Sequence, residues 1–270
     1  MKNDFVYIDG NVPFYQSVIL REYGIAHGFF TRRGGVSSGP FESLNFAVGV
    51  GEITDDEAKV MQNYQLAAEV FGLNKEDICR SYQTHTSVVE IATENDRGRG
   101  ISLPPYDHGV DGMVTLEKNL LLSVRTADCV PILLGDKNNK VCSAVHAGWR
   151  GTVGGIIDNA VKIMVEKGVS LSDIVVAIGP CVGQCCYEVG EDVLKEFLKI
   201  STECKRFFTP RGEKYMLDLV GANEFVLELS GIKNENISSL GLCTKCHEDK
   251  FFSHRRNGSV RGTMSAFIHL

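Results

Sequence analysis

Short apolar runs that alternate with segments of helical spacing constrain the fold of this chain most. The runs predict buried β-strands at residues 86–92, 120–125, 130–136, 140–148, 174–180 and 264–270. Apolar residues three and four positions apart predict helices at residues 55–71, 152–168, 190–200 and 217–229. Because no Pro- or Ser-rich linker divides the chain, we expect one mixed α/β domain over residues 1–270. These patterns leave the order of the strands open.

The acidic composition limits the partners that we expect. A formal net charge of -6 and a pI near 5.7 argue against a broad basic surface for nucleic acid. No apolar run reaches the roughly 18 residues of a membrane span, and residues 1–16 lack the apolar core of a signal peptide. We therefore expect a cytoplasmic protein that binds no membrane, with its nine cysteines as free thiols or metal ligands. The oligomeric state stays open.

Three side chains that can bind metal lie where predicted strands meet loops. His85 in "YQTHTSVV" and Cys129 in "RTADCVPILL" each precede a strand, and His146 in "SAVHAGWRG" ends one. Two imidazoles and one thiolate suit zinc, with a fourth position open to water or substrate. Their spacing alone is also compatible with two hydrogen-bonded histidines and a small buried cysteine, so convergence of the three is a hypothesis.

A second cysteine motif, "CTKCH" at residues 243–247, has several interpretations. It matches the pattern of c-type haem attachment, but that attachment follows export, which the sequence does not indicate. It could also be half of a zinc site, although "CVGQCC" has the wrong spacing for a second C-x-x-C. We interpret it as a cysteine-rich loop with one or two buried thiols.

Arginines in Gly-rich or loop segments are candidates for binding an anion, because a guanidinium binds phosphate through paired hydrogen bonds. They are Arg32, Arg33, Arg150, Arg255 and Arg256. Arg150 precedes the predicted helix at 152–168, whose N-terminal N–H groups would also favour an anion. The alternative is that most of these arginines are solvated or pair with the excess acidic residues.

Seven segments together resemble one family, in the order in which they occur there: "FFTRRGGVSSGPFESLNFAVG", "QTHTSVV", "DGMVT", "TADCVPILL", "AVHAGWRGTVGGI", "IGPCVGQCCYEVG" and "FFSHRRNG". The chain resembles the laccase-domain proteins, also called multicopper polyphenol oxidase-like or peptidoglycan-editing-factor-like proteins, over residues 25–270. These are described as multifunctional purine nucleoside phosphorylases. The resemblance implies a single-domain α/β (α+β) sandwich with a mixed sheet, flanking helices and a cysteine-hydrolase-like site.

The resemblance also implies a site. The metal, zinc or copper, would be bound by His85, Cys129 and His146. The substrate and phosphate residues would be Arg32, Asn45, Arg150, Arg255 and Arg256. Asp128, beside Cys129, is a further candidate for proton transfer. The chain departs from many members by carrying Thr263 where they have an arginine, which Arg261 could replace, and Cys181 is a weaker site candidate.

The expected reaction is phosphorolysis of adenosine, inosine, guanosine and methylthioadenosine, together with deamination of adenosine. Its partners are a small nucleoside and phosphate, with arginines binding the phosphate and an acid protonating the leaving purine. One alternative is a cysteine hydrolase that edits peptidoglycan precursors, with Cys129 as nucleophile and His146 as base. Another is a copper-dependent polyphenol oxidase, which the absence of any His-x-His pair disfavours.

Overall fold

The computed structural model describes residues 4–49 and 52–270 of the chain. Its strands are β1 (Phe5–Ile8), β2 (Phe14–Ser17), β3 (Ala26–Phe30), β4 (Ile78–Arg80), β5 (Val89–Ala92), β6 (Gly112–Thr115), β7 (Leu121–Thr126), β8 (Val130–Asp136), β9 (Cys142–Ala147), β10 (Ile174–Ile178), β11 (Glu188–Val189), β12 (Phe208–Arg211), β13 (Lys214–Leu217), β14 (Ile237–Ser239) and β15 (Met264–His269). Its helices are α1 (Val18–Glu22), α2 (Glu57–Glu69), α3 (Trp149–Val153), α4 (Ile156–Glu166), α5 (Glu191–Ile200), α6 (Leu219–Leu229) and α7 (His254–Asn257). Among these described residues, no helix has both the length and the apolar character that a bilayer crossing requires.

The strands form two six-stranded sheets and one small sheet. The first sheet has the order β1-β2-β3-β15-β7-β4, the second β14-β10-β8-β9-β6-β5, and the small sheet β11-β13-β12. Both large sheets are mixed: β4 runs parallel to β7 in the first, and β5 to β6 and β10 to β14 in the second, while the other neighbours are antiparallel. The expected mixed α/β sandwich with flanking helices is therefore confirmed.

The two large sheets pack face to face, and helices cover their outer faces. Successive residues of a strand point to opposite faces, so Leu133 lies in the cluster between the sheets while Ile132 lies in the outer cluster with α4, α5 and α6. In the first sheet, Ile268 faces the second sheet and Phe267 packs against α2. Strands buried on both faces read as continuous apolar runs, which is why β8 and β10 stand out in the sequence.

Strand register places one end of the second sheet at the candidate site. Pro131 of β8 pairs with His146 of β9, so Cys129 lies beside the end of β9. Gly112 of β6 pairs with Val145, which brings Asp111 next to His146. The start of β8, the end of β9 and the start of β6 therefore lie side by side at this end of the sheet. Three chain segments meet there.

The helix predictions agree with the structure except in one place. The helices predicted at 55–71, 190–200 and 217–229 are confirmed as α2, α5 and α6. The helix predicted at 152–168 is wrong as a single element, because Gly155 has a φ of 82° and separates α3 from α4. Arg150 is therefore the second residue of the short helix α3, and does not precede one long helix as expected.

Replacing Gly155 with alanine should destabilise the protein. Only the Asp158 carboxylate lies within 4 Å of the added Cβ, so the cost comes from the left-handed backbone. We expect the free energy of unfolding to fall by about 1 kcal/mol in urea titrations. Gly10→Ala is the control, because nothing lies within 4 Å of its Cβ and its φ is not left-handed. Equal stabilities of the two variants would contradict this explanation of the helix break.

Candidate active site

The structure brings the three predicted metal ligands together. One donor atom each from His85, Cys129 and His146 lies within 4.8 Å of the other two. Cys129 Sγ is 3.7 Å from His85 Nε2, and the two imidazole rings cross at 75° with centroids 5.0 Å apart. His146 is buried, Cys129 is half-buried and His85 is exposed, so the cluster opens to solvent on one side. These residues form a possible His/Cys metal site.

The carboxylate of Asp111 positions both histidines. It accepts hydrogen bonds from the backbone N–H groups of Thr84, His85 and Thr86 at 2.9 to 3.0 Å, and from Thr86 Oγ1 at 2.9 Å. Three successive N–H groups that point at one anion form a nest. This nest holds His85 at a φ of 64°, which is uncommon for a residue other than glycine. Asp111 Oδ1, which accepts the N–H of His85, also accepts a hydrogen bond from Nδ1 of His146 at 2.7 Å.

The same contacts set the charges of the cluster in the metal-free protein. Burial alone would raise the pKa of Asp111, but hydrogen bonds from His146 and from the backbone of Thr86 and Thr84 lower it to about 2. Burial opposes the charge on the Cys129 thiolate, but the positive charge of His146 lowers the pKa of this thiol. The thiolate and Asp111 in turn raise the pKa of His146 against the effect of burial. Cys129 is therefore ready to bind metal as a thiolate, the form of cysteine that acts as a ligand.

The donor set fits a tetrahedral metal ion. For Zn–S and Zn–N bonds of usual length, a sulfur and a nitrogen ligand lie about 3.6 Å apart, close to the 3.7 Å between Cys129 Sγ and His85 Nε2. Because Asp111 binds Nδ1 of His146, Nε2 of that ring is free to bind metal. Gly148 leaves room for the cluster: a Cβ there would lie 3.2 Å from Cys129 Sγ and 3.0 Å from the His85 ring.

A pocket of about 730 Å³ adjoins the cluster, which is within the usual range for small-molecule sites. It lies where strands of both large sheets end. Apart from the three candidate ligands, its polar and aromatic lining residues are Arg80, Gln83, Arg125, Thr126, Asp128, Trp149, Arg150, Tyr187, His254, Arg255, Ser259, Arg261 and Thr263.

Three half-buried arginines of the pocket have no acidic partner among the described residues. The Nε atoms of Arg80, Arg125 and Arg261 are buried, and no acceptor among the described residues reaches them. No ion pair within residues 4–49 and 52–270 includes these three side chains. Burial lowers the pKa of Arg125 and of Arg261, and the charge of Arg80 adds to the effect at Arg125. Since unpaired buried donors are costly, this part of the pocket is suited to an anion.

Two of the predicted substrate residues, Arg150 and Arg255, line this pocket. The Arg150 guanidinium stacks on the Trp149 ring at 4.3 Å. Arg255 stacks on Tyr187 at 4.8 Å and donates to the Glu188 carbonyl. Trp149 also packs against the outer core of the second sheet, so it serves both the pocket and the fold.

Arg32 and Asn45, also predicted to bind substrate, lie outside the lining of the pocket. Arg32 stacks on Phe252 and belongs to a separate surface depression with Glu42. The buried Asn45 amide donates to the Ala47 carbonyl and to Asp55, and its Oδ1 accepts from the backbone N–H groups of Ala47 and Thr263. Its hydrogen-bonding capacity is therefore filled by the protein, and it orders the segment at 45–49 that borders the pocket.

Asp128, Arg256 and Cys181 have structural contacts in this arrangement. Asp128 has a φ of 105°, and its two carboxylate oxygens accept from Thr244 Oγ1 and from the backbone N–H of Arg255, each at 2.6 Å. Arg256 donates to three backbone carbonyls between residues 244 and 251. Cys181 is buried in the outer core of the second sheet, and this burial raises its pKa well above the ordinary value. It does not line the pocket.

Sequence reasoning missed Asp111, Arg80 and Arg125. Asp111 is the first residue of the family segment "DGMVT", and Arg125 immediately precedes the family segment "TADCVPILL". Arg80 ends β4 and Arg125 lies near the end of its parallel neighbour β7, which places both residues at the same end of the first sheet. An acidic or basic residue at a strand end, within or next to such a segment, is the signal that could have identified Asp111 and Arg125.

The family follows from comparison with known proteins. A family model described as multi-copper polyphenol oxidoreductase laccase matches residues 26–270. The chain belongs to this family. The purine nucleoside phosphorylase YlmD of Geobacillus stearothermophilus is 39% identical over 252 residues, which cover 91% of this chain and 90% of that protein.

Two further relatives extend the comparison. The adenosine deaminase RL5 of an unknown prokaryotic organism is 34% identical over 240 residues, covering 87% of this chain and 90% of that protein. The crystal structure of the hypothetical protein YfiH of Bacillus licheniformis has a TM-score of 0.89 and 33% identity, with 99% of both chains covered. The sandwich architecture is thus shared with an experimental structure over nearly the whole chain.

Replacing Asp111 with asparagine should weaken metal binding. The amide keeps the size of the side chain but removes the charge that orients His146 and favours its role as a ligand. Loss of such a carboxylate lowers metal affinity about 10- to 100-fold. Competition with a chelator of known affinity measures the effect. Asp136→Asn is the control, because Asp136 is buried at the opposite end of β8, and an equal loss in both variants would contradict a specific role for Asp111.

Proposed function

We propose that this protein is a metal-dependent purine nucleoside phosphorylase that also deaminates adenosine. The observation that carries the proposal is one pocket that combines a cluster of possible His/Cys metal ligands with three half-buried arginines, whose buried Nε atoms have no acceptor among the described residues. The names of the relatives support phosphorylase activity in this family, and one of them is named an adenosine deaminase. The proposed substrates are adenosine, inosine, guanosine and methylthioadenosine.

The proposed phosphate subsite consists of Arg80, Arg125 and Arg261. Their buried Nε–H groups have no acceptor among the described residues, and a phosphate would supply several oxygens at once. Thr263 Oγ1, also buried and without a hydrogen-bond partner in the described part of the chain, belongs to a residue that lines the same pocket. A phosphate bound by these arginines would be held in place to attack C1′ of the ribose. Holding both substrates in one site in this way makes their reaction effectively unimolecular.

The purine and ribose would occupy the part of the pocket lined by Trp149 and Tyr187. These aromatic rings would pack against a flat base. Burial, together with the negative charge of Cys129, raises the pKa of Tyr187 to about 12, so its hydroxyl stays protonated and can donate a hydrogen bond to substrate. Arg150 and Arg255 stack on these two rings and would contact the polar edges of the nucleoside.

His85, Cys129 and His146 would hold the metal, which we propose to be zinc, with copper as the alternative. A metal ion at such a site lowers the pKa of a bound water and acts as a Lewis acid. Asp111 fixes the tautomer of His146 and the backbone of His85, and therefore the direction of both imidazoles. We propose that Asp128 and Asn45 are positioning residues, because both are occupied by hydrogen bonds within the protein.

We extend the proposal to the organisation and location of the protein. Residues 1–270 would form one domain, which is supported by the core cluster between the two large sheets and by the outer clusters packed on the same sheets. A cytoplasmic location would keep the Cys129 thiol reduced and able to bind metal. Nucleoside and phosphate remain the proposed partners.

Purified zinc-loaded protein should release hypoxanthine from inosine only when phosphate is present. Cys129→Ala should lose the metal ion bound by this cluster and at least about 100-fold of the rate, because it removes the only thiolate of the cluster. Product chromatography and metal analysis measure the two effects. Cys142→Ala, at the opposite end of β9 from His146, is the control. Unchanged rate and metal content in Cys129→Ala would refute the site.

The cysteine-hydrolase alternative predicts a different result. The charged Cys129–His146 pair permits this alternative, and amide hydrolysis by chelator-treated protein would favour it.

Replacing Arg125 with methionine should weaken phosphate binding specifically. Methionine retains much of the side-chain length and lacks the charge, and loss of a charged hydrogen bond costs about 1.5–3 kcal/mol. We expect KM for phosphate to rise about 10- to 100-fold, while KM for inosine changes little. Initial rates over a phosphate series measure this. Arg206→Met serves as the control, because Arg206 lies on the surface and pairs with Glu203; an unchanged phosphate KM in Arg125→Met would contradict the subsite.

A further inference from the structure

Four cysteines outside the candidate active site converge on one point. Cys185 and Cys186 lie in the loop between β10 and β11, and Cys243 and Cys246 lie between β14 and α7. Their four Sγ atoms all lie within 4.8 Å of one another. "CVGQCC" is not a second C-x-x-C, but two loops far apart in the chain bring its adjacent cysteines to the cysteines of "CTKCH".

The spacing of the sulfur atoms fits a shared metal ion. Cys246 Sγ lies 3.6 Å from Cys185 Sγ and 3.5 Å from Cys186 Sγ. Four thiolates bound to one zinc ion at the usual bond length stand about 3.8 Å apart along the edges of a tetrahedron. A disulfide would instead bring one pair to about 2 Å and leave the other two thiols without a partner. Convergence of all four sulfurs is the arrangement that a tetrathiolate site requires.

The backbone around the cluster supports bound thiolates. Gly183 lets Cys243 approach closely, since a Cβ at position 183 would lie 3.1 Å from Cys243 Cβ, which is tighter than an ordinary contact. The backbone N–H groups of Gly183 and Cys246 face the sulfur of Cys243. Such N–H donors offset the negative charge that four thiolates bring to a divalent ion.

We propose that Cys185, Cys186, Cys243 and Cys246 form a second metal site, a structural zinc site that joins two loops beside the pocket. A closed set of four thiolates leaves no open position for substrate, so this ion would stabilise the fold rather than react. The proposal is independent of the proposed function, because it uses none of the residues of the active-site cluster.

The joined loops reach the active site through Asp128. Thr244, next to Cys243, donates to one oxygen of the Asp128 carboxylate, and the N–H of Arg255 donates to the other. Val182, which precedes the paired cysteines of the first loop, donates its N–H to the Asp128 carbonyl. Because Asp128 adjoins Cys129, a zinc ion that fixes both loops would also hold the pocket wall against the metal-ligand cluster.

Metal counting tests the proposal directly. The full-length protein is purified under reducing conditions, loaded with zinc, freed of excess metal and examined by elemental analysis and native mass spectrometry. Wild type should hold about two zinc ions per chain, Cys246→Ser about one, Cys129→Ala about one, and the double variant none. Cys142→Ser, outside both clusters, should retain about two. A wild type with about one ion, retained in Cys246→Ser, would overturn the proposal.

A second measurement covers the case in which Cys246→Ser does not fold. Cobalt is added to metal-free Cys129→Ala, in which the four-cysteine cluster is the only group of converging metal-ligand side chains with thiols among the described residues. One equivalent of cobalt should produce intense thiolate-to-cobalt charge-transfer bands, which zinc then displaces. Absence of these bands would overturn the proposal. A protein mass lower than that of the reduced chain by two hydrogen atoms would also overturn it, because it marks a disulfide in place of the metal.

Discussion

The carboxylate of Asp111 is the contact on which the rest of the candidate site depends. It accepts three successive backbone N–H groups from residues 84–86 and the Nδ1–H of His146, so one anion fixes a strained loop and a ring on a different strand. Without it, His85 would have no support for its left-handed backbone. The carboxylate is fully buried, where hydrogen bonds to a charge are strongest and hardest to replace with water.

The sandwich makes this contact possible by placing different strands at one end of a sheet. Antiparallel pairing aligns the start of β8 with the end of β9, and β6 begins beside them. The sheets are held by apolar cores on both faces, so their ends stay fixed while loops supply the chemistry. The same principle operates at the first sheet, where Arg80 and Arg125 reach the pocket from two parallel strands.

The sequence predicted the secondary-structure elements and the convergence of the candidate metal ligands better than the other contacts of the site. Long apolar and amphipathic segments such as β8 and α5 are local features, and motif resemblance identified His85, Cys129 and His146. The break at Gly155 was missed because the helical spacing continues through it. Asp111, Arg125 and the pairing of the two cysteine motifs depend on strand register and on loops distant in the chain, which local patterns do not encode.

The unpaired arginines make the pocket costly to maintain without a ligand. Burying Arg125 beside the like charge of Arg80 opposes folding, and no carboxylate within the described part of the chain offsets it. An anion bound between these groups would remove the cost, and ligand binding to the native state alone stabilises it by mass action. The stability of the protein and its affinity for an anion are therefore linked through the same few donors. A substitution that makes this pocket more stable, by removing one of those charges, would do so at the expense of anion binding.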